Sequence, residues 1–327
     1  MPPYQDATAV KDAGTQPNGD HIYSGNISGE WTVAKVSHGG YLTGIAMEAC
    51  IQHQSSTSHR DPIHFTAYFM LAPTIGPCEV AVRTIRSGKT FTNLALDLKR
   101  NEDIIITAHA IFGVLDPAMA PPDPFQLTLS PPHPFARRTP FHAHPSTLKA
   151  HRYGPIATLR EHVRLADDPT VHEGHESTLP NDTGGVQLGY WASLSHPFDM
   201  LTPASLLFFA DPHPCLIPHL TKGSLPPTTH TTVVLSIEFK APIPREAAKH
   251  TVGTFLNARF IQDPKGRHDL NVELWTAPSD IGDQESTVKD GWREEQKCLL
   301  IARHMTLIVP METVGRKKKA NKAEGKL

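Results

Sequence analysis

The chain has 327 residues, of which 39% are hydrophobic and 20% charged, and its formal net charge is -2. This balance is typical of a globular protein of about two domains, and it favours neither nucleic acid nor an anionic membrane as a partner. Four widely spaced cysteines without a C-x-x-C pair argue against a cysteine zinc site or a disulfide framework. No apolar run reaches the roughly 18 residues of a membrane span, so we expect an intracellular protein.

The chain begins with a polar segment followed by a block of regular periodicity. Residues 1–20 lack the apolar stretch of a secretory signal, and we predict a polar N-terminal extension there. Within 21–113, a turn at His38-Gly39-Gly40 precedes apolar residues at helical spacing over 41–52. Strand patterns follow at 64–71, 78–85, 91–98 and 104–112, with turn signals at 87–89 and 101–103.

A proline-rich stretch separates this block from the remainder of the chain. Residues 114–152 hold nine of the 30 prolines. Proline lacks a backbone donor and fixes φ, which disfavours a central strand or a long helix. We therefore predict an extended linker over 114–152.

The block from 153 to 310 repeats the order of the first block. It has a strand pattern at 186–193 and an apolar helical stretch within 201–220. Further strand patterns lie at 231–239, 251–261, 269–275 and 298–309, with a polar loop predicted at 278–292.

Short similarities between the blocks support a duplication. Residues 66–69 (TAYF) resemble 236–239 (SIEF), and 107–110 (TAHA) resemble 302–305 (ARHM), which pairs His109 with His304. Each block therefore predicts one helix on an antiparallel meander, an α+β arrangement. Two such units in one chain suggest a pseudo-twofold interface between them.

Three segments in this order resemble a known family. They are 38–42 (HGGYL), 61–69 (DPIHFTAYF) and 85–92 (IRSGKTFT). This pattern resembles the thioesterase-like family of acyl-CoA thioesterase II type, whose members are double-hotdog hydrolases. The resemblance covers 21–113 well and 186–310 more loosely. It implies an α+β tandem hotdog fold, with a central helix wrapped by an antiparallel β-sheet in each half, and hydrolysis of an acyl-thioester.

The resemblance also implies a catalytic set at the interface of the two halves. The family has an Asp at the end of the second-half helix, a Thr or Ser on the next strand and a Gln on the last strand. Asp211 and Thr232 match the first two positions, with Ser236 as a nearby alternative, whereas His304 replaces the Gln. Asp211 would activate water in an apolar setting, and the other two residues would position that water.

The same residues also fit plain structural roles. Asp211 precedes Pro212, a common pattern at a helix end. Thr232 fits an ordinary strand residue, and His304 fits a structural histidine in a chain with 20 histidines. The sequence alone leaves these alternatives open.

Substrate-binding residues are expected on both sides of the first-block helix. Backbone N–H groups of His38, Gly39 and Gly40, at the start of the helix, would bind the thioester carbonyl or its oxyanion. Arg86 and Gly88, in the first hairpin, would meet the phosphates of CoA. A glycine turn and an exposed basic hairpin explain these residues equally well.

Other chemistries fit the sequence less well. The chain lacks a G-x-S-x-G elbow, a G-x-x-x-x-G-K-[ST] loop and a G-x-G-x-x-G after a strand. Paired histidines at 142/144 and 172/175 lie in polar segments, so we expect neither a metal nor a cofactor. Two rival functions stay open: a non-hydrolytic hotdog enzyme, such as a dehydratase or a biosynthetic tailoring or release enzyme, and a catalytically inactive acyl-binding protein.

The C-terminal segment 311–327 is a basic tail with six lysines and arginines. Its final Gly325-Lys326-Leu327 resembles the peroxisomal tripeptide, with Gly in place of Ser. We expect a peroxisomal or cytoplasmic protein, and we leave open both self-association and the choice between CoA and a carrier protein as the thiol.

Overall fold

A computed structural model describes most of the chain. The described residues are 3–33, 36–116, 118–119, 130–131, 133, 138–154, 157–172, 186–212, 228–258, 261–262 and 265–310. The predicted basic tail, the C-terminal tripeptide and the centre of the predicted linker lie outside them.

The described residues contain five α-helices, which are short except for the second. They are α1 (Tyr4–Thr8), α2 (Gly39–Gln54), α3 (Pro169–His172), α4 (Pro203–Ala210) and α5 (Trp292–Glu295). The predicted helices at 41–52 and within 201–220 correspond to α2 and α4. None of the helices in this part of the chain is long and apolar enough to cross a membrane.

Eight strands precede the proline-rich segment and form the first half of the molecule. They are β1 (Lys11–Thr15), β2 (His21–Ile27), β3 (Thr32–Val33), β4 (Val36–Ser37), β5 (Asp61–Phe69), β6 (Gly76–Ser87), β7 (Thr92–Arg100) and β8 (Asp103–Gly113). The four strands predicted after the helix are confirmed as β5 to β8. The predicted hairpin turn closes with the Gly88 N–H donating to the Phe91 carbonyl at 2.9 Å.

Seven strands form the second half. They are β9 (Val163–Asp167), β10 (Val186–Leu194), β11 (Thr228–Phe239), β12 (Thr251–Ala258), β13 (Ile261–Gln262), β14 (Arg267–Thr276) and β15 (Cys298–Pro310). The strand predicted over 251–261 ends earlier, at Ala258, and β13 is a separate two-residue strand that pairs with β14.

The two halves share one topology. The strand order is β2-β6-β7-β8-β5 in the first half and β10-β12-β14-β15-β11 in the second, with all neighbours antiparallel. In each half a helix follows the first of these strands in sequence and packs on the inner face of the sheet. The predicted duplication and the predicted α+β architecture are therefore confirmed.

The halves join through their sheets. β5 pairs antiparallel with β11, with Thr66 opposite Ser236, so both halves form one thirteen-stranded sheet. The hydroxyls of these two residues are 2.9 Å apart. On the inner side, α2 packs against α4, and this contact places the start of α2 beside the end of α4.

One predicted correspondence is wrong by a single residue. Thr66 on β5 and Ser236 on β11 are equivalent residues that pair with each other where the two halves meet. On the neighbouring strand of each half, His109 of β8 pairs with Thr66, whereas Arg303 of β15 pairs with Ser236. The structural equivalent of His304 is therefore Ala110, not His109. A shift of one residue moves a side chain to the other face of a strand, so His304 is buried whereas His109 is not.

The N-terminal segment adds two elements that the sequence did not indicate. Helix α1 places the Tyr4 side chain between α2 and α4, and the Tyr4 hydroxyl donates to the Ala204 carbonyl at 3.2 Å. Strand β1 extends the sheet by pairing with β2. Residues 4–15 thus form regular structure, and Tyr4 belongs to the hydrophobic core.

Candidate active site

The end of α4 fixes the position of Asp211. The helix begins with a capping box, in which Thr202 and Ser205 satisfy each other's backbone N–H groups, and Pro203 occupies its first turn. It ends at Ala210 because Pro212 disfavours helical geometry at the preceding residue. Asp211 adopts φ -102° and ψ 75° at the helix end, and it is only 7% exposed.

Two glycines at the start of α2 allow the helix to reach this carboxylate. A Cβ on Gly39 would lie 2.7 Å from Asp211 Oδ2, and one on Gly40 would lie 2.7 Å from the Leu207 carbonyl oxygen. Because neither clash exists, the Gly40 N–H donates to Asp211 Oδ2 at 2.8 Å. The positive end of the α2 dipole therefore faces the aspartate.

This contact corrects one prediction. The Gly40 N–H was expected to bind the thioester carbonyl, but it is used by Asp211. The N–H is one of the unpaired donors at a helix start, and the nearest strong acceptor is a carboxylate from the other half. Gly39 and Gly40 thus hold the Asp211 carboxylate in place through close packing of α2 against α4.

Thr232 reaches the same carboxylate from the sheet. Its hydroxyl donates to Asp211 Oδ1 at 3.0 Å. The pairing of β11 with β15 has a register irregularity between Thr232 and Val234. Such a bulge redirects the side chains beside it. Ser236, the alternative to Thr232, lies beyond the bulge, and its hydroxyl instead contacts Thr66 and His64 across the β5–β11 junction.

His304 completes the group from β15. Its side chain faces inward and is buried, with Nε2 2.8 Å from the Ala210 carbonyl oxygen and Nδ1 3.6 Å from Asp211 Oδ1. A carbonyl only accepts, so Nε2 carries the proton in the neutral ring and Nδ1 carries the lone pair. Burial lowers the pKa of His304, against the opposing effect of the Asp211 charge. The ring is therefore neutral near pH 7.

His38 lies on the opposite side of the carboxylate. Its Nδ1 is 3.9 Å from Asp211 Oδ2, and its ring packs on Phe208 at a centroid distance of 4.8 Å. The structure thus brings together residues from both halves: His38, Gly39 and Gly40 from the first, and Asp211, Thr232 and His304 from the second.

Arg86 and Gly88 are not part of this group. Their hairpin contacts the segment after the C-terminal end of α2, where His59 Nε2 lies 3.2 Å from the Lys89 carbonyl oxygen. Asp211 lies at the other end of this 16-residue helix, which is roughly 24 Å long. The hairpin residues therefore belong to a different region of the surface.

Two contributors to the site escaped the sequence-based prediction. The Ala210 carbonyl fixes the tautomer of His304, and Phe69 places its ring against Gly39, 3.1 Å from the Cβ that any other residue would carry. Backbone groups carry no signal in the sequence. The Gly39-Gly40 pair was a usable signal of close approach, because glycine is favoured where two backbones meet.

The described residues offer no cluster of three or more metal-type ligands. Of the histidines predicted not to bind metal, His142 contacts Arg293 and His144 contacts Ser146. The side chains gathered around the site are one carboxylate, one hydroxyl and two imidazoles.

Comparison with known proteins supports this architecture. Residues 27–113 match the family model of the acyl-CoA thioesterase N-terminal domain. This match lies within the first half of the chain. The resemblance to double-hotdog thioesterase-like proteins is therefore confirmed, and it includes the His38-Gly39-Gly40 turn and β5 to β8.

Solved structures show that the double-hotdog fold extends over most of the chain. A hot dog protein of unknown function from Alicyclobacillus acidocaldarius covers 94% of this chain and 97% of its own, with a TM-score of 0.69 and 14% identity. An acyl-CoA thioesterase II, TesB2, from Mycobacterium marinum covers 94% and 98%, with a TM-score of 0.61 and 12% identity. At these identities the similarity shows the fold alone.

A curated relative matches a shorter region of this double-hotdog chain. The ustilagic acid biosynthesis cluster protein orf2 of Mycosarcoma maydis is 30% identical over 86 residues. The match covers 24% of this chain and only 22% of that relative.

Proposed function

We propose that this chain hydrolyses acyl-CoA or a related acyl-thioester at the site formed by Asp211, Thr232 and His304. One observation carries the proposal: Thr232 on β11 and His304 on β15 both lie beside the buried carboxylate of Asp211 at the end of α4. The start of α2, in the other half, holds the same carboxylate through the Gly40 N–H. Both the thioesterase domain in the first half and the double-hotdog fold support this choice of chemistry.

The arrangement suits a reaction that needs a held water molecule. The donors from Gly40 and Thr232 stabilise Asp211 as a carboxylate and fix its orientation. The Asp211 carboxylate and the His304 lone pair both accept hydrogen bonds, so together they can bind the two protons of one water. That water would then present its own lone pair to the thioester carbonyl carbon.

The test is release of free thiol from straight-chain acyl-CoA thioesters by the whole chain and by Asp211→Asn. Asparagine keeps the size of the side chain but loses the negative charge that orients the water. Acid–base assistance that depends on this charge typically contributes on the order of 10²–10⁴-fold, so we expect a loss of kcat of about that size, with a smaller change in KM.

Asp199→Asn is the matched control. Asp199 is also buried, lies before the start of α4, and accepts the Tyr4 N–H at 2.6 Å, far from the catalytic group. This variant should keep near-normal thiol release if it melts like the native chain. Folded Asp211→Asn with native kcat would refute the site, and a native chain inactive on every acyl-CoA would refute the function.

A second candidate is dehydration of a 3-hydroxyacyl thioester. The specific observation that favours it is the imidazole beside the carboxylate, because an acid–base pair can move a proton from the α-carbon and protonate the departing hydroxyl. Product analysis separates the two functions: hydrolysis gives free thiol and a carboxylic acid, whereas dehydration gives an enoyl thioester and no thiol.

A further inference from the structure

The hydrogen-bond pattern around Asp211 raises the question of which group takes the proton from water. Oδ2 already accepts from the Gly40 N–H, and Oδ1 already accepts from the Thr232 hydroxyl. Both oxygens of Asp211 are thus engaged by donors that hold the carboxylate in a fixed orientation.

The His304 imidazole is in the opposite situation. Its Nε2 proton is committed to the Ala210 carbonyl, and no donor in the described part of the chain reaches Nδ1, which is buried. Nδ1 lies 3.6 Å from Asp211 Oδ1, which is beyond hydrogen-bond distance, and it is closed to solvent. A buried acceptor without a donor requires an explanation, and a reacting water supplies one.

From this geometry we infer that His304 Nδ1, not Asp211, is the proton acceptor in the proposed hydrolysis. The inference rests on the proposed function. Asp211 lies beside the ring and stabilises the imidazolium that forms when water gives up its proton. His304 is then a catalytic residue, since Nδ1 contacts the attacking water, and Asp211 orients that water.

The step balances without an additional reactant. The water oxygen bonds to the thioester carbonyl carbon while one of its protons moves to His304 Nδ1, which gives a tetrahedral oxyanion and an imidazolium. Collapse of the oxyanion breaks the carbon–sulfur bond, and the imidazolium returns the proton to the leaving thiolate. The products are a carboxylic acid and a free thiol, and His304 is again neutral.

The charged and titratable groups around His304 determine its pH dependence. Asp211 at the end of α4 raises its pKa, whereas burial and His268 on the neighbouring β14 lower it. His38 lies beyond Asp211, at the start of α2. Because burial dominates, kcat should rise with pH through a value below the ordinary histidine pKa of about 6.5 and then level off.

The experiment measures the pH dependence of thiol release for the native chain, His304→Gln, Asp211→Asn and His268→Gln. His268→Gln is the matched control: a second buried histidine on the inner face of the adjacent strand, which contacts Gly266 rather than Asp211. Glutamine at 304 can still donate to the Ala210 carbonyl but cannot take a proton. In His304→Gln we expect kcat to fall on the order of 10²-fold or more. We also expect the acid limb, which is the part of the pH profile where kcat rises with pH, to disappear in this variant only.

The pH profile of Asp211→Asn should differ from that of His304→Gln. Asp211→Asn should be slow but keep the acid limb, moved to lower pH because the charge that raises the pKa of His304 is gone. If folded His304→Gln hydrolyses acyl-CoA at the native rate with the native limb, the inference is overturned while the proposed function stands. If the native chain releases no thiol, the proposed function fails, and the role of His304 in hydrolysis fails with it.

A second measurement does not depend on turnover. Nitrogen-15 spectra of histidine-labelled whole chain, assigned with the His304→Gln variant, report which ring nitrogen carries the proton. Protonation at Nε2 with a bare Nδ1 at pH 7 is the expected result. Protonation at Nδ1 would overturn the inference, since no lone pair would then face the water.

Discussion

Single residues determine how closely the two helices approach. At Gly40, the space that a side chain needs is filled by the backbone of α4, with the Leu207 carbonyl oxygen and Phe208 Cα both under 3 Å from an added Cβ. Backbone atoms cannot rotate away as a side chain can. The approach also places the Gly40 N–H on Asp211, so one position serves both helix packing and the geometry of the site.

Gly40→Ala should therefore damage stability and activity together. We expect a loss of about 1–3 kcal/mol in the free energy of unfolding, typical of an overpacked core, and slower thiol release because Asp211 moves. Gly88→Ala is the matched control, because its Cβ would lie at an ordinary 3.5 Å from the Phe91 carbonyl oxygen. Denaturant unfolding of both variants checks this, and equal stability of Gly40→Ala and native chain would contradict it.

At the level of elements, strand irregularities recur at equivalent places. The β5–β8 pairing shifts between Pro62 and His64, and the β11–β15 pairing shifts between Thr232 and Val234. Both shifts lie at the same distance along the strand before the paired residues Thr66 and Ser236, so they are at equivalent positions. The bulge is thus a property of the shared fold, and only in the second half does it place a hydroxyl beside the carboxylate.

Sequence periodicity was sufficient for the order of α2, β5 to β8, β10, α4, β11, β12, β14 and β15, because the inner faces of these strands are largely apolar at alternate positions. It did not give the register. A bulge adds a residue without leaving a trace in composition, so the match of His109 to His304 was wrong by one position. Helix α1 was missed because a five-residue polar helix with one buried aromatic residue has no periodicity to detect.

The candidate site was only partly accessible from sequence. Asp211, Thr232 and His304 were named through family resemblance, since 20 histidines and many threonines offer no internal way to choose among them. The donor from Gly40 and the acceptor at Ala210 are backbone groups that become neighbours only when α2 packs on α4. Predicting them requires tertiary contacts, which neither spacing nor propensity provides.

A buried aspartate ties the end of the proline-rich segment to the second half. Asp168 is fully buried and accepts the backbone N–H groups of His142 and Ala143 at 2.7 and 2.9 Å. It also accepts the Thr170 hydroxyl at 2.6 Å. Removing the carboxylate would leave several donors without a partner in a place that water does not reach.

Asp168→Ala should lower the free energy of unfolding by about 3 kcal/mol, the cost expected for leaving buried donors unsatisfied. The adjacent Asp167→Ala is the control: that carboxylate is exposed, and its polar partner among the described residues is the exposed His151, an arrangement worth less than about 1 kcal/mol. Urea unfolding compares the two. Equal effects of the two substitutions would show that Asp168 does not anchor this segment.

For the whole molecule, burial of histidines couples stability to pH. Burial lowers the pKa of His53, His64, His144, His162 and His304. A histidine whose pKa is lower in the folded state binds protons more readily when unfolded. Its stabilising contribution is complete above the unfolded value of about 6.5 and is lost as pH falls from there toward the folded value.

The melting temperature should therefore fall as pH is lowered from 7.5 to 5.5. The slope should be shallower in His304→Gln, because this ring is fully buried and contributes to the effect. Burial raises the pKa of Glu48 and Asp199, which acts in the opposite direction but at lower pH. Calorimetry over this range is the measurement, and a melting temperature that rises on acidification would contradict the argument.

Because β5 and β11 belong to one chain, the two halves of the molecule can differ in sequence at equivalent positions. A dimer of identical single-domain chains must carry each substitution twice, once at each symmetric site. Here His304 has Ala110 as its counterpart and Thr232 has Pro62, so equivalent positions have diverged independently. Counted from the start of each helix, the counterpart of Asp211 is the fully buried Met47. Asp211, Thr232 and His304 thus lie in one half while their counterparts in the other half are apolar, an asymmetry that a dimer of identical chains cannot have.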